Sequence, residues 1–541
     1  MEGNKRLASA ARSATYNMIL QVVFRMLTFV LNAFVLRYIS KEMLGVVNVR
    51  LTLLYSTTLF VAREAFRRAC LSKTADRKWR QVINLLWCTV LLGIVCGLAL
   101  AYFWLRLLER PDPERVPNYS VGVIVFTLSA VLELLAEPLY VIGQALLFIK
   151  LKVVIEGVAI LCRCILTVLL VIAFPHWGIV AFCWSQLAFT LIYVGLYYAY
   201  FIKYLYTSED ESFPLKTVRD FFPRTNPGQK WTNLTLLKLT WSFFKQGFFK
   251  QILTEGEKYV MTFFNVASFA DQGLYDIITN LGSLAARFIF FPIEESGYLF
   301  FAQTLTRGVP VKEQAEDAVA LATKVLENLL KFVFLLGMTI LVFGYPYAYL
   351  LLDLYGGSLL SSGSGPTLLS CYCVYVLLIA INGTMEAFVF AAMSSQDVDR
   401  YNHKLLVFSV IFLFFSWLFT KLIGVLGFIF ANCINMSVRI IYSIYFVKNY
   451  YKDTKYRPLK CLIPSTMVLI AYIVSIIITV ISEKTLCCDK GRLYQLVHVC
   501  IGGLCCLGVS LTIYFSEYDM IDFIMQQFIT RKEALKAKKK N

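Results

Sequence analysis

Apolar runs of roughly twenty residues recur along the whole of this chain, separated by polar connections that are mostly short. A run of that length is what an α-helix needs to cross about 30 Å of hydrocarbon. Backbone N–H and C=O groups in lipid must be satisfied within their own segment, so helices are the default, and the ten-residue alternation of a membrane barrel is absent from the sequence. The runs fall at 14–39, 43–61, 82–105, 119–142, 152–174, 177–202, 240–264, 277–302, 325–352, 367–392, 405–422, 425–447, 462–481 and 494–515. They predict an all-α polytopic membrane protein with about fourteen transmembrane helices. Composition agrees. Hydrophobic residues fill 58% of 541 positions and charged residues 16%, which leaves too little polar surface for a soluble exterior. The first run is too long for a signal-peptide core and is broken by Arg25, so it reads as the first helix.

Charge gives the orientation. Lys and Arg concentrate in alternate loops, with a dense group from Arg63 to Arg80 and another at the C-terminus. The positive-inside rule then places both termini in the cytosol. The net charge of +17 is spread over these short loops, and no compact basic domain exists that would bind nucleic acid. The polar stretch 203–238, with Glu209-Asp210-Glu211 and several prolines, leaves six runs before it and eight after. The expected organisation is a six-helix lobe at 1–202, a cytosolic linker at 203–238 and a second six-helix lobe at 239–447. An added helix pair at 448–515 and a basic tail at 516–541 complete it.

The fifteen cysteines lie mostly inside apolar runs, where they act as small hydrophobes, and with three histidines they make no metal-binding spacing. Neither a metal nor a cofactor is expected. The Asp397-Val398-Asp399 run falls in a short cytosolic loop, and no glycine-rich nucleotide loop accompanies it, so an enzyme is not expected either.

Polar residues inside the runs carry the functional signal, because a charge at membrane depth costs about 2.5 kcal/mol or more and is kept for a cavity or a partner. Helical spacing groups them into stripes. Gln21, Arg25, Thr28 and Asn32 share one face of the first run, and Asn280, Ser283, Arg287 and Glu294 share one face of the eighth. Gln246, Lys250, Thr254 and Glu257 do so in the seventh, and Asn432, Asn435 and Arg439 in the twelfth. Glu133 and Glu137 are one turn apart in the fourth, as are Asn382 and Glu386 in the tenth. Two readings stand: interhelical glue, with Glu133 or Glu294 neutralising Arg25 or Arg287, or a hydrated central cavity with a basic middle. The second suits an anion such as phosphate, which arginine pairs with bidentately.

Three stretches are similar to the eukaryotic Rft family of endoplasmic-reticulum membrane proteins. They are Arg63-Glu64-Ala65-Phe66-Arg67-Arg68-Ala69 with the run from Leu53 to Phe60 before it, Leu253-Thr254-Glu255-Gly256-Glu257-Lys258-Tyr259, and Phe291-Pro292-Ile293-Glu294-Glu295-Ser296. The resemblance covers essentially the whole chain. It implies two six-helix lobes around a central cavity, and a part in moving the dolichyl-pyrophosphate-linked heptasaccharide of N-glycosylation from the cytosolic to the lumenal leaflet. Related bacterial lipid II flippases hold pyrophosphate with arginines of the first, second and eighth helices. By position Arg25 and Arg287 match the first and eighth, and either Arg50 or Arg63 matches the second. The expected substrate-binding set is therefore Arg25, Arg50, Arg63 and Arg287, with Asn32, Lys250, Glu257 and Glu294 from the polar stripes. Membrane lipid and other glycosylation-pathway proteins are the further expected partners. The alternative is a non-transporting scaffold or accessory factor of the same pathway. Two features bear on location and topology: Lys538 and Lys539 resemble a dilysine retrieval signal, and Asn118-Tyr119-Ser120 is the sequon expected in a lumenal loop.

Overall fold

Helices follow one another in the computed structural model, which describes residues 20, 23–72, 78–146, 148–207, 213–224, 231–488 and 491–523. No strand occurs among the described residues. A shorter apolar helix, α1 (Val23–Val35), precedes α2 (Lys41–Leu71), α3 (Trp79–Arg106), α4 (Tyr119–Ala145), α5 (Lys150–Ala173) and α6 (Ile179–Thr207). Next comes α7 (Leu234–Thr254), continued beyond Glu255 by Gly256–Phe264. The remaining helices are α8 (Phe269–Thr304), α9 (Glu316–Gly356), α10 (Gly365–Ala392), α11 (Gln396–Ile423), α12 (Leu426–Tyr450), α13 (Thr466–Leu486) and α14 (Arg492–Ser516). Twelve of them are long and apolar enough to span a membrane. The other two are α1, which is 13 residues long as described, and α7, which the polar run from Thr254 to Lys258 interrupts. The expected spans from the second onward each contain a helix, the expected first span lies partly outside the described residues, and the chain is a multi-pass membrane protein.

The chain forms two compact units, residues 1–274 and 275–541. The first is closed by two apolar clusters. One gathers Leu85, Leu86, Leu139, Ile142, Ile155, Tyr197 and Phe201, and the other gathers Leu51, Leu54, Trp104, Val123 and Ile179. Small residues let α3 approach α4: a Cβ on Gly97 would lie 2.9 Å from the Thr127 methyl. Part of the polar segment after α6 belongs to this core, since Phe213, Leu215 and Phe221 are buried in it. The buried Asn84 on α3 pins that segment. Its amide donates to the carbonyls of Arg224 (2.8 Å) and Trp231 (2.9 Å), and its oxygen accepts from the Arg224 N–H (2.9 Å).

In the second unit the long α9 packs against α10, where Gly337 lies so close that a Cβ would sit 3.3 Å from Leu377 Cα. Leu326, Leu330, Met385, Phe388, Tyr401 and Tyr451 form the centre. The α13–α14 pair docks on α9 through Tyr472, which donates to the Leu335 carbonyl at 2.7 Å, and through Tyr347, which donates to the His498 carbonyl at 2.6 Å and stacks on that ring. Ser394 caps α11 by accepting from the Asp397 N–H at 3.2 Å and donates to the Asp397 carboxylate at 2.7 Å. The one Asp-x-Asp run therefore has a structural explanation at a helix start.

Candidate functional site

Arg63 and Arg67 stand one turn apart on α2, and Glu133 and Glu137 stand one turn apart on α4, so the two helices meet in a two-rung ladder. Arg63 donates to Glu133, whose other oxygen accepts from the Tyr55 hydroxyl. Arg67 donates to both oxygens of Glu137 and lies over the Tyr140 ring at 3.7 Å. Both glutamates are buried. In such a setting the pair is held because removing one partner strands a charge, at about 3–5 kcal/mol.

The second unit has a counterpart. Arg439 on α12 donates through Nε (2.8 Å) and Nη2 (2.5 Å) to the two oxygens of Glu386 on α10. Tyr401 on α11 donates to the same carboxylate at 2.6 Å. Glu294 on α8 is half-buried beside α10, and a Cβ added at Gly383 would lie 2.5 Å from its Oε2.

Against these engaged groups stand two exposed arginines. Arg25 on α1 is exposed with Asn32 on the same helix, and no acidic side chain among the described residues pairs with it. Arg287 on α8 is also exposed, and its Nη2 donates to the Asn280 amide oxygen at 3.2 Å. The glue reading therefore fails in its specific form. Glu133 serves Arg63 rather than Arg25, and Glu294 makes no ion pair with Arg287.

Arg50 differs from both groups. It is wholly buried in the first unit, where Nη2 donates to Asn265 Oδ1 at 2.8 Å and the guanidinium lies 5.1 Å from the Phe269 ring centre. Glu257 is half-buried and engaged, and the Lys250 side chain lies outside the described residues. Three helix segments in the described chain are wound as π-turns: Val46–Leu51, Phe60–Glu64 and Ala286–Phe290. They carry Arg50, Arg63 and Arg287 respectively. Such turns re-aim side chains and often occur at functional sites.

The family model described as Rft protein matches residues 9–527. The chain belongs to the Rft family. Among the relatives of this Rft protein is the Man(5)GlcNAc(2)-PP-dolichol translocation protein of Xenopus tropicalis, 52% identical over 98% of this chain and 99% of the relative. The Mus musculus protein of the same name is 51% identical over 97% and 98%. The Drosophila melanogaster one is 40% identical over 85% and 88%. Among solved structures, the lipid II flippase MurJ in an inward closed conformation matches with a TM-score of 0.61 at 12% identity, over 94% of this chain and 100% of that one. An inward-facing MATE family multidrug transporter of the MOP superfamily matches at 0.51 and 13%, over 81% and 99%. These structures are similar in fold. Among the described residues the Rft chain holds Arg63, Arg67 and Arg439 in ion pairs between helices, and sequence periodicity names Arg439 and the glutamates of that network. Arg67 and Tyr401 were missed, because a helical stripe shows which residues share a face and not which helix lies against it.

Proposed function

We propose that this protein moves a dolichyl-pyrophosphate-linked oligosaccharide, of the Man5GlcNAc2 type, from the cytosolic to the lumenal leaflet of the endoplasmic-reticulum membrane. The reading takes its substrate from what its relatives, which cover nearly the whole chain, are named for translocating. One observation carries the residue assignment. Arg25 and Arg287 are exposed and have no acidic partner among the described residues, while Arg63, Arg67 and Arg439 are committed to glutamates.

A guanidinium is a planar donor fork that matches a phosphate bidentately and keeps its charge when partly desolvated. Arg25 and Arg287 are assigned to the diphosphate on that ground. Asn32 supplies amide groups for sugar hydroxyls from the face of α1 that carries Arg25. Translocation proceeds by alternating access and neither makes nor breaks a bond, so it asks for no catalytic residue. Both termini face the cytosol in this reading.

Complementation of a glycosylation-deficient strain tests the assignment. At matched protein levels, Arg25→Ala and Arg287→Ala should each lose function, and Arg→Lys should retain part of it, since a point charge replaces the fork. Full activity in either alanine variant would refute the diphosphate assignment.

A further inference from the structure

The Arg439–Glu386–Tyr401 network leaves one acid and one acceptor unused beside it. Glu294 lies against α10 at Gly383, where any side chain would displace its carboxylate. Among the described residues no ion pair involves Glu294, and both oxygens of Glu386 are already held by Arg439 and Tyr401. The neighbouring Asn382 is 5% exposed, and its buried Oδ1 receives no hydrogen bond. At 100° per residue, Asn382, Glu386 and Gly383 cover an arc of about 100° on α10, with Glu386 in the middle. The buried amide oxygen, the engaged carboxylate and the seat of Glu294 are thus adjacent on one helix face.

We infer that Glu294 is a proton-binding site, whose protonated carboxyl donates to the Asn382 amide oxygen. A buried acceptor without a donor is unfavourable, and the protonated acid supplies the donor that is missing. Charge points the same way. Glu386 repels the anionic form of Glu294 and Arg439 attracts it, so with Glu294 ionised the three groups carry one net negative charge at membrane depth. Uptake of one proton from water brings them to neutrality. On α9, where Leu329 would lie 3.4 Å from a Cβ at Gly297 of α8, the titratable residues nearest that contact in the chain are Glu327 and Lys331, and Lys331 is bonded to Glu517. Tyr298, one turn beyond Glu294 on α8, accepts from Arg307 at 3.2 Å. A hard divalent cation would call for about six oxygen ligands, and Glu294 and Asn382 offer far fewer.

The test needs no substrate, so it stands apart from the transport reading. Infrared difference spectra of the purified full-length protein across a pH series report the C=O stretch of protonated carboxylic acids; the band that counts is the component separate from that of the solvated carboxyls among the 35 Asp and Glu residues. The wild type should show such a band titrating with pH. Glu294→Gln should lose it, the exposed neighbour Glu295→Gln should keep it, and Asn382→Leu should shift it by removing the acceptor. A band that survives in Glu294→Gln overturns the proposal. So does a wild-type spectrum without the band at any pH, which would mean that Glu294 stays ionised and accepts from the Asn382 amide instead. Replacing potassium by sodium should leave the titration in place; a sodium-dependent shift would make this an alkali-cation site and not a proton site.

Discussion

Glu386 holds Arg439 through both carboxylate oxygens while Tyr401 donates to the same group, so three helices of the second unit converge on one acid. Removing the glutamate alone leaves a guanidinium without its counter-charge. Glu386→Gln should therefore destabilise the protein by about 3 kcal/mol, and the double variant Glu386→Gln, Arg439→Gln should recover a good part of that. Thermal melting of the purified single and double variants checks it. Equal melting of the two would show that the pair is not a coupled unit.

The α2–α4 ladder gives a contrast between arginines. Glu133→Ala strands Arg63 and should lower the amount of folded protein markedly, whereas Arg25→Ala removes an exposed charge with no acidic partner among the described residues and should leave that amount unchanged. Quantitative blotting of membranes against a fixed internal standard reads both. Loss of the Arg25→Ala protein would make Arg25 structural.

The segment after α6 should loosen in acid. Burial by itself would raise the Asp220 carboxyl, but hydrogen bonds from the Thr217 N–H and hydroxyl and the Lys216 N–H, with Arg224 nearby, hold it below the usual range. A depressed carboxylate contributes stability above its unfolded-state value and loses it as pH falls toward the folded-state value. Amide exchange across 217–222 should accelerate as pH is lowered through the ordinary aspartate range, after correction for intrinsic rates. In Asp220→Asn that additional acceleration should vanish.

Orientation and location have their own test. A tag after Asn541 should be digested by protease added to sealed microsomes, and Lys538→Ser with Lys539→Ser should increase escape to the Golgi. A protected tag would overturn the proposed topology.

Much of the architecture was legible because membrane crossing imposes a length that the eye can measure. Each expected span from the second to the fourteenth overlaps a helix, and the described part of the first does so at Val23–Val35. The stripes were legible for the same reason, helical periodicity. Partnership was not. Glu133 could have served Arg25 or Arg63 on periodicity alone, and only the packing of α4 on α2 decides for Arg63. The π-turns that carry Arg50, Arg63 and Arg287 left no mark in composition or spacing, because a single inserted residue per turn is set by packing and not by residue type. Burial of Arg50 was likewise invisible, since its partner Asn265 is distant in the chain.

The central claim is that this chain itself carries the lipid. The most direct measurement is leaflet exchange of a labelled dolichyl-pyrophosphate oligosaccharide in liposomes containing the purified protein. Exchange should run well above the protein-free rate for the wild type and fall to background for Arg25→Ala and Arg287→Ala reconstituted at equal density. A wild-type rate equal to that of protein-free liposomes would contradict the account and leave the protein an accessory of the pathway.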